Sequence, residues 1–236
     1  MTPSCPRAIK PRLLRVGLEQ HPVVVIDEFS GRLDEIVQCA CDLAPYPAIE
    51  RNYYPGVRRV IGRNDQRANA YVEQTCRDAA QYIAGAFDIE TFTLVEASFS
   101  LVTVRPSELS SPQRAPHFDT GDPKHLALLH YLRVPEGSGT AFYRQRSTGI
   151  ERVTTANMAR FVRTAQQEAR LLPSDAGYIS GSDPFFEQIG LVEAVPDRLV
   201  IYQGSVLHSG IIPPGMTFSA DPGMGRLTAN LFIRGK

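Results

Sequence analysis

Residues 91–104 read TFTLVEASFSLVTV, and this run decides the fold. It alternates, and it is rich in β-branched and aromatic residues, which is the signature of a strand. Similar short runs follow: APHFD (115–119), HLALLHYLRV (125–134), GTAFYRQ (139–145), RLVIYQG (198–204), VLHSGII (206–212) and RLTANLFIR (226–234). Gly, Pro, Asp or Ser punctuates most of their boundaries. Many short strands with turn signals predict a mainly β sandwich or barrel. One helix interrupts them at 155–172, with Met158, Phe161, Val162, Ala165, Ala169 and Leu172 on one face and Pro173 closing it.

Upstream the texture is helical. VVVI (23–26) predicts a short buried strand. Ser30 then caps a helix, GRLDEIVQCACDLA (31–44), whose apolar face is Leu33, Ile36, Val37, Ala40 and Ala44 and which Pro45 and Pro47 end. ERNYYPGVRRV (50–60) reads as a loop with a turn at Pro55 and Gly56. A second helix spans Arg67 to Phe87, with Tyr71, Val72, Cys76, Ala79, Ala80 and Ile83 on its face. These helices are expected outside the same β core. The expectation is one domain over 1–236, with strand and helical support in 1–90 and the β core in 91–236. There is no internal repeat and no low-complexity tract.

The 236 residues are 43% hydrophobic, enough for a sizeable core. Lys plus Arg balances Asp plus Glu at 25 each, so no global field attracts nucleic acid or an anionic membrane. Arg144 and Arg146, and the N-terminal Arg7, Lys10, Arg12 and Arg15, read as solvated surface. No apolar stretch reaches a membrane span, and the N-terminus lacks the apolar core of a secretory signal. Cys5, Cys39, Cys41 and Cys76 form no CxxC and read as reduced thiols. A cytoplasmic protein acting on a small molecule is the expectation.

The five histidines are unequal. His21 precedes Pro22 at a strand start and reads as structural. His125 and His130 lie five apart, point to opposite faces of one strand, and read as packed or surface residues. His117 and Asp119 lie two apart, hence on one face of a strand. Roughly half of such a match is expected by chance among five histidines, so the pair is weak alone. Three features strengthen it. The pair runs into a Gly-Asp-Pro turn, His208 lies at another strand end, and Arg226 opens the last strand. Two imidazoles and a carboxylate with open positions suit non-haem Fe(II). The far carboxylate of a chelating dicarboxylic 2-oxoacid needs a cation. Arg226 offers the fork, and Thr228 a hydroxyl on the same face. Arg234, near the C-terminus, reads as surface.

His117-Phe118-Asp119, the distal His208 and Arg226-Leu227-Thr228 together resemble the Fe(II)/2-oxoglutarate-dependent dioxygenase superfamily, in its prolyl-hydroxylase-like range. The resemblance covers roughly 91–236. PHFDTGDPKHLALLHYL, GTAFYR and NYYPG are similar to strings in bacterial proteins of uncharacterised function within it. It implies a double-stranded β-helix (jelly-roll, cupin-like), with Fe(II) held by His117, Asp119 and His208. The implied cosubstrates are 2-oxoglutarate and O2, the co-products succinate and CO2. The implied reaction is hydroxylation of a C–H bond. The carboxylate ligand favours hydroxylation, desaturation or ring formation over halogenation. Tyr131, Tyr202 and Asn230 are further candidates for cosubstrate or lining contacts, with a locally satisfied core tyrosine as the other reading. Substrate contacts are expected from NYYPGVRR (52–59), from 184–186 and from IPPGMTFSADPGMG (212–225), a candidate lid that lengthens the interval from His208 to Arg226. Two other readings stay open: a cupin-type metal enzyme without 2-oxoglutarate, and a non-catalytic barrel used as a binding module.

Overall fold

The computed structural model describes residues 11–47, 54–173 and 176–236. Cys5, Arg7, Lys10 and the Glu50–Tyr53 part of the expected loop lie outside the described residues. Among the described residues, ten strands and three α-helices follow in chain order: β1 (Pro11–Val16), β2 (His21–Ile26), α1 (Leu33–Asp42), β3 (Gly56–Val60), α2 (Gln66–Phe87), β4 (Phe92–Val102), β5 (His125–Arg133), β6 (Gly139–Gln145), α3 (Met158–Ala169), β7 (Phe186–Glu193), β8 (Arg198–Gln203), β9 (His208–Ile211) and β10 (Leu227–Gly235). One sheet runs β1-β2-β8-β5-β10-β4-β3 and the other β7-β6-β9, and every pairing is antiparallel. This is the mainly β architecture that the run of short strands predicts, in the jelly-roll form with flanking helices that the resemblance implies.

Period-two alternation sorts each strand between two cores. On β2, Val24 and Ile26 face the helices, while Val23 and Val25 face the space between the sheets. On β8, Leu199 and Ile201 join the helix side, and Val200 and Tyr202 the interior. The helix-side core takes Ile36 and Ala40 from α1 and Tyr71, Val72, Ala79 and Ile83 from α2. Burying one such Val, Leu or Ile is worth about 1.5–3 kcal/mol. This layer fixes the large sheet as a plate, and the small sheet closes over it. A third core lies behind the small sheet, where Ala141 and Tyr143 of β6 meet Phe161 of α3.

Several expectations change. APHFD is not a strand: His117 makes only an isolated bridge to His208. The 50–60 loop ends in a strand, β3, which pairs with the edge of β4. β1 and β7 had no clear sequence signal, being polar or exposed on much of one side. Ser30 does not cap α1. Its hydroxyl donates to Asp197 Oδ1 (2.5 Å), and α1 begins three residues later, at Leu33, without a side-chain cap. α3 is shorter than 155–172. Its Val162 is exposed, whereas Glu168 is buried, accepting hydrogen bonds from Gln145 and Ser147. Tertiary polar contacts override the apolar pattern there. No helix among the described residues is long and apolar enough to cross a membrane.

Candidate metal centre

The centre is built where the interior core opens. His117 and His208 exchange two backbone hydrogen bonds, each 2.9 Å. Asp119 N–H donates to the carbonyl of Gly204 at 2.7 Å. The segment 117–119 is therefore extended without belonging to a ladder, which is enough to aim both side chains at the start of β9. One donor atom from each of His117, Asp119 and His208 lies within 4.8 Å of the others. His208 Nε2 stands 3.8 Å from Asp119 Oδ1, and the two imidazole centroids are 4.4 Å apart. His117 and Asp119 are exposed along the rim, but the Asp119 side chain itself is only 19% accessible.

Hydrogen bonding sets the donor chemistry. His208 Nδ1 lies 2.8 Å from the Val206 carbonyl, which can only accept, so Nδ1 carries the proton. Nε2 then points its lone pair toward Asp119. Desolvation holds His117 down to about 4, helped by the neighbouring His208 and opposed by Asp119. Burial likewise holds His208 down to about 4, against the pull of the Val206 carbonyl. Both imidazoles are neutral at pH 7, the form a metal needs. Burial raises the Asp119 carboxyl, against the pull of the neighbouring His117, His125 and Arg58.

Gly204 is a member of the site that sequence reasoning missed. A Cβ there would fall 2.8 Å from Asp119 Oδ2 and 3.0 Å from His125 Cδ2. The YQG triplet carried the signal, but only the fold shows what the glycine admits.

The three donors open into a cavity of about 340 Å³, within the ordinary range for small-ligand sites. Arg226, Thr228 and Asn230 line it from β10 and its approach, as their period-two spacing predicts. Arg226 is 6% exposed, and its Nε has no hydrogen-bond partner. A buried guanidinium N–H without an acceptor is costly, and an anionic ligand would supply one. The guanidinium stands 5.8 Å from the Tyr131 ring centroid. Tyr131 itself is fully buried behind the wall, bonded through its hydroxyl to Thr140 (2.6 Å), which does line the cavity. Asn230 donates to Ser100 Oγ at 2.7 Å. Tyr202 lines the cavity, edge-on to the His208 ring at 4.8 Å.

The lining continues across the same sheet through Arg58 of β3, which pairs through Ser100 of β4 with Thr228, and is completed by Tyr54, Pro55 and Tyr178. Arg58 donates to Glu96 (2.6 Å) and Ser98 (2.8 Å), which hold it against β4. The 184–186 segment does not line the cavity: Phe186 is packed behind the small sheet with α3. From 212–225, Ile212 reaches the lining, and Met216 and Phe218 pack with Tyr54, Tyr178 and Val102. That segment is a packed flap. His125 stacks on Phe232 at 5.5 Å and stays outside the donor group. His130 is buried in the helix-side layer. Arg234 is exposed and paired with Asp122, as a surface residue should be.

Residues 7–233 match the model of a family described as "Family of unknown function (DUF6445)". No curated protein matches. Among solved structures, the non-haem α-ketoglutarate-dependent carbocyclase SnoK from nogalamycin biosynthesis is similar over 91% of this chain and 80% of its own, at 13% identity and TM-score 0.51. Iron-bound HygX from Streptomyces hygroscopicus is similar over 93% and 84%, at 11% identity and TM-score 0.51. The α-ketoglutarate-dependent epimerase SnoN, also from nogalamycin biosynthesis, is similar over 90% and 77%, at 14% identity and TM-score 0.50. At these identities the likeness is one of fold.

Proposed function

We propose that this chain, which belongs to the family of unknown function DUF6445, is an Fe(II)- and 2-oxoglutarate-dependent oxygenase that oxidises a C–H bond of a small molecule. One observation carries the reading. Two neutral imidazoles and a carboxylate converge at one cavity that also holds a buried arginine with an unpartnered N–H. A metal alone would not call for the arginine, and an anion site alone would not call for the triad. The similar folds of enzymes named for α-ketoglutarate support the same reading.

His117, Asp119 and His208 would hold the iron, and Arg226 with Thr228 the far carboxylate of the cosubstrate. Bound iron and 2-oxoglutarate would supply the oxidising power, with succinate and CO2 as co-products. The chain's own residues do the rest. The Val206 carbonyl fixes the His208 tautomer so that Nε2 stays available. Gly204 lets Asp119 approach. Tyr54, Arg58 and Tyr178 line the same cavity as the arginine and shape the space left for a substrate. Amino acids or natural-product intermediates fit this size class, and hydroxylation is the reaction we favour. Solved folds of this kind include enzymes named epimerase and carbocyclase, so the outcome depends on which carbon the walls present.

The test is metal and cosubstrate dependence. Protein prepared without oxygen should bind Fe(II) or Mn(II) and convert 2-oxoglutarate to succinate only with Fe(II) present. His117→Ala should abolish both. Metal binding untouched by that change would sink the assignment.

A further inference from the structure

A second group of histidine and carboxylate donors lies outside the cavity. Glu19 sits in the turn between β1 and β2, His21 opens β2, and Glu151 follows β6. One donor atom from each lies within 4.8 Å of the others. His21 Nε2 is 3.4 Å from Glu151 Oε2 and 3.7 Å from Glu19 Oε2. Ligand atoms about 2.1 Å from a tetrahedral ion stand about 3.4 Å apart, so the spacing is already that of a coordination shell.

The independent observation is His21. The residue is 3% exposed, and its Nε2 is buried without a hydrogen-bond partner although two carboxylates face it. Neither neutral tautomer is comfortable. A proton on Nε2 finds no acceptor in line, and a bare Nε2 aims its lone pair at two anions. A cation between the three groups resolves all of this.

Glu151 is held for such a role. Oε1 accepts from Leu18 N–H (3.0 Å) and lies 3.4 Å from Arg144 Nη1, while Oε2 accepts only from Glu19 N–H (3.2 Å). A carboxylate has about four acceptor positions, so Oε2 retains one. Gly17, at φ +71°, lets the turn descend onto this group: a Cβ there would lie 2.1 Å from Oε2. Arg152 Nη2 stands 3.9 Å from Glu19 Oε2, so an arginine attends each carboxylate from outside, as outer partners of metal ligands do. Glu19 is half exposed, which leaves an access route and room for a water ligand.

We propose that Glu19, His21 and Glu151 bind a divalent transition-metal ion of the zinc type, with water completing the shell, tying the β1–β2 turn to the barrel. The proposal stands independently of the iron reading.

The test uses the full chain, stripped with chelator and titrated with Co(II) without oxygen, its binding followed by visible absorption. In a His117→Ala/His208→Ala background, one ion should still bind, with the intense bands of a four-coordinate site. Adding Glu19→Gln, a change at an accessible side chain, should weaken it by about tenfold or more. His21→Gln should remove the bands. Near-UV circular dichroism checks that each variant is folded. Binding in that background unaffected by Glu19→Gln and His21→Gln, or no binding at all, overturns the proposal. So does a proton alone filling the place, seen as an ordinary His21 titration by NMR with no Co(II) bound.

Discussion

Two regions of this molecule pair a histidine with an aspartate, and they do opposite things with it. At the helix–sheet seam, His130 Nε2 donates to Asp197 Oδ1 (2.9 Å), and His130 Nδ1 lies 2.8 Å from the Tyr71 hydroxyl. Asp197 also accepts from the Ser30 hydroxyl and from the backbone N–H of Ser30 and Gly31 (3.0 and 2.8 Å). One tautomer satisfies every group. In the cavity, His208 uses Nδ1 on a backbone carbonyl, and its Nε2 faces Asp119 at 3.8 Å without a hydrogen bond. The lesson concerns satisfaction rather than residue type. A closed network braces the fold, and an open one is left for a ligand.

The largest expected effect tests the open end of that contrast. Asp119→Ala should remove metal binding and abolish succinate formation, measured by anaerobic titration and product assay, while the protein stays folded. If stability collapsed instead, the cavity pair would be a brace like the seam.

Next is Arg226, whose buried N–H is the other open group. Arg226→Ala should raise the 2-oxoglutarate concentration giving half-maximal rate by about 10–100-fold, the usual worth of a hydrogen bond to a charged group. Arg226→Lys should recover only part of it, since the fork is lost. A steady-state titration of cosubstrate decides this.

The seam supplies the third effect. Burial alone would raise the Asp197 carboxyl, but the bonds from His130, Ser30 and Gly31 bring it down to about 2. A carboxylate depressed on folding stabilises the native state fully above its unfolded value near 3.8 and loses that contribution as pH falls toward 2. Asp197→Asn should therefore cost about 2 kcal/mol at pH 7 in denaturant unfolding, and the deficit should shrink in acid across that window. Unlike Asp119→Ala, it should leave metal affinity intact. Metal affinity lost along with stability would erase the distinction between the two regions.

The smallest effect is steric. Gly204→Ala places a methyl against Asp119, so metal affinity should fall by about tenfold through a displaced carboxylate. Unchanged affinity in a calorimetric titration would show that Asp119 has room to move.

Period two in 91–104 and in the later runs made a mainly β sandwich or barrel legible, because side-chain alternation is local and survives without knowledge of partners; the jelly-roll form was implied by the resemblance. The long 3.6-period face of 67–87 likewise placed α2 to within a residue. The same rule put Thr228 and Asn230 on the cavity side. β3 was not legible, because it is an edge strand paired with β4 alone among the described strands. Nor was the capping of α1, where Asp197, far along the chain, draws Ser30 away.

The sequence by itself determined which residues could be donors: the spacing of His117 and Asp119, the distal His208, and the arginine that opens the last strand. Tertiary structure alone decided which histidines are left unsatisfied. The Val206 carbonyl fixes one ring, Asp197 closes another, and Glu151 meets His21 across 130 positions of chain. The Val206 carbonyl is only two residues from its ring, but Asp197 arrives through the pairing of β5 with β8, and Glu151 through the descent of the β1–β2 turn onto the barrel. The last two contacts depend on long-range register, and no local period encodes it.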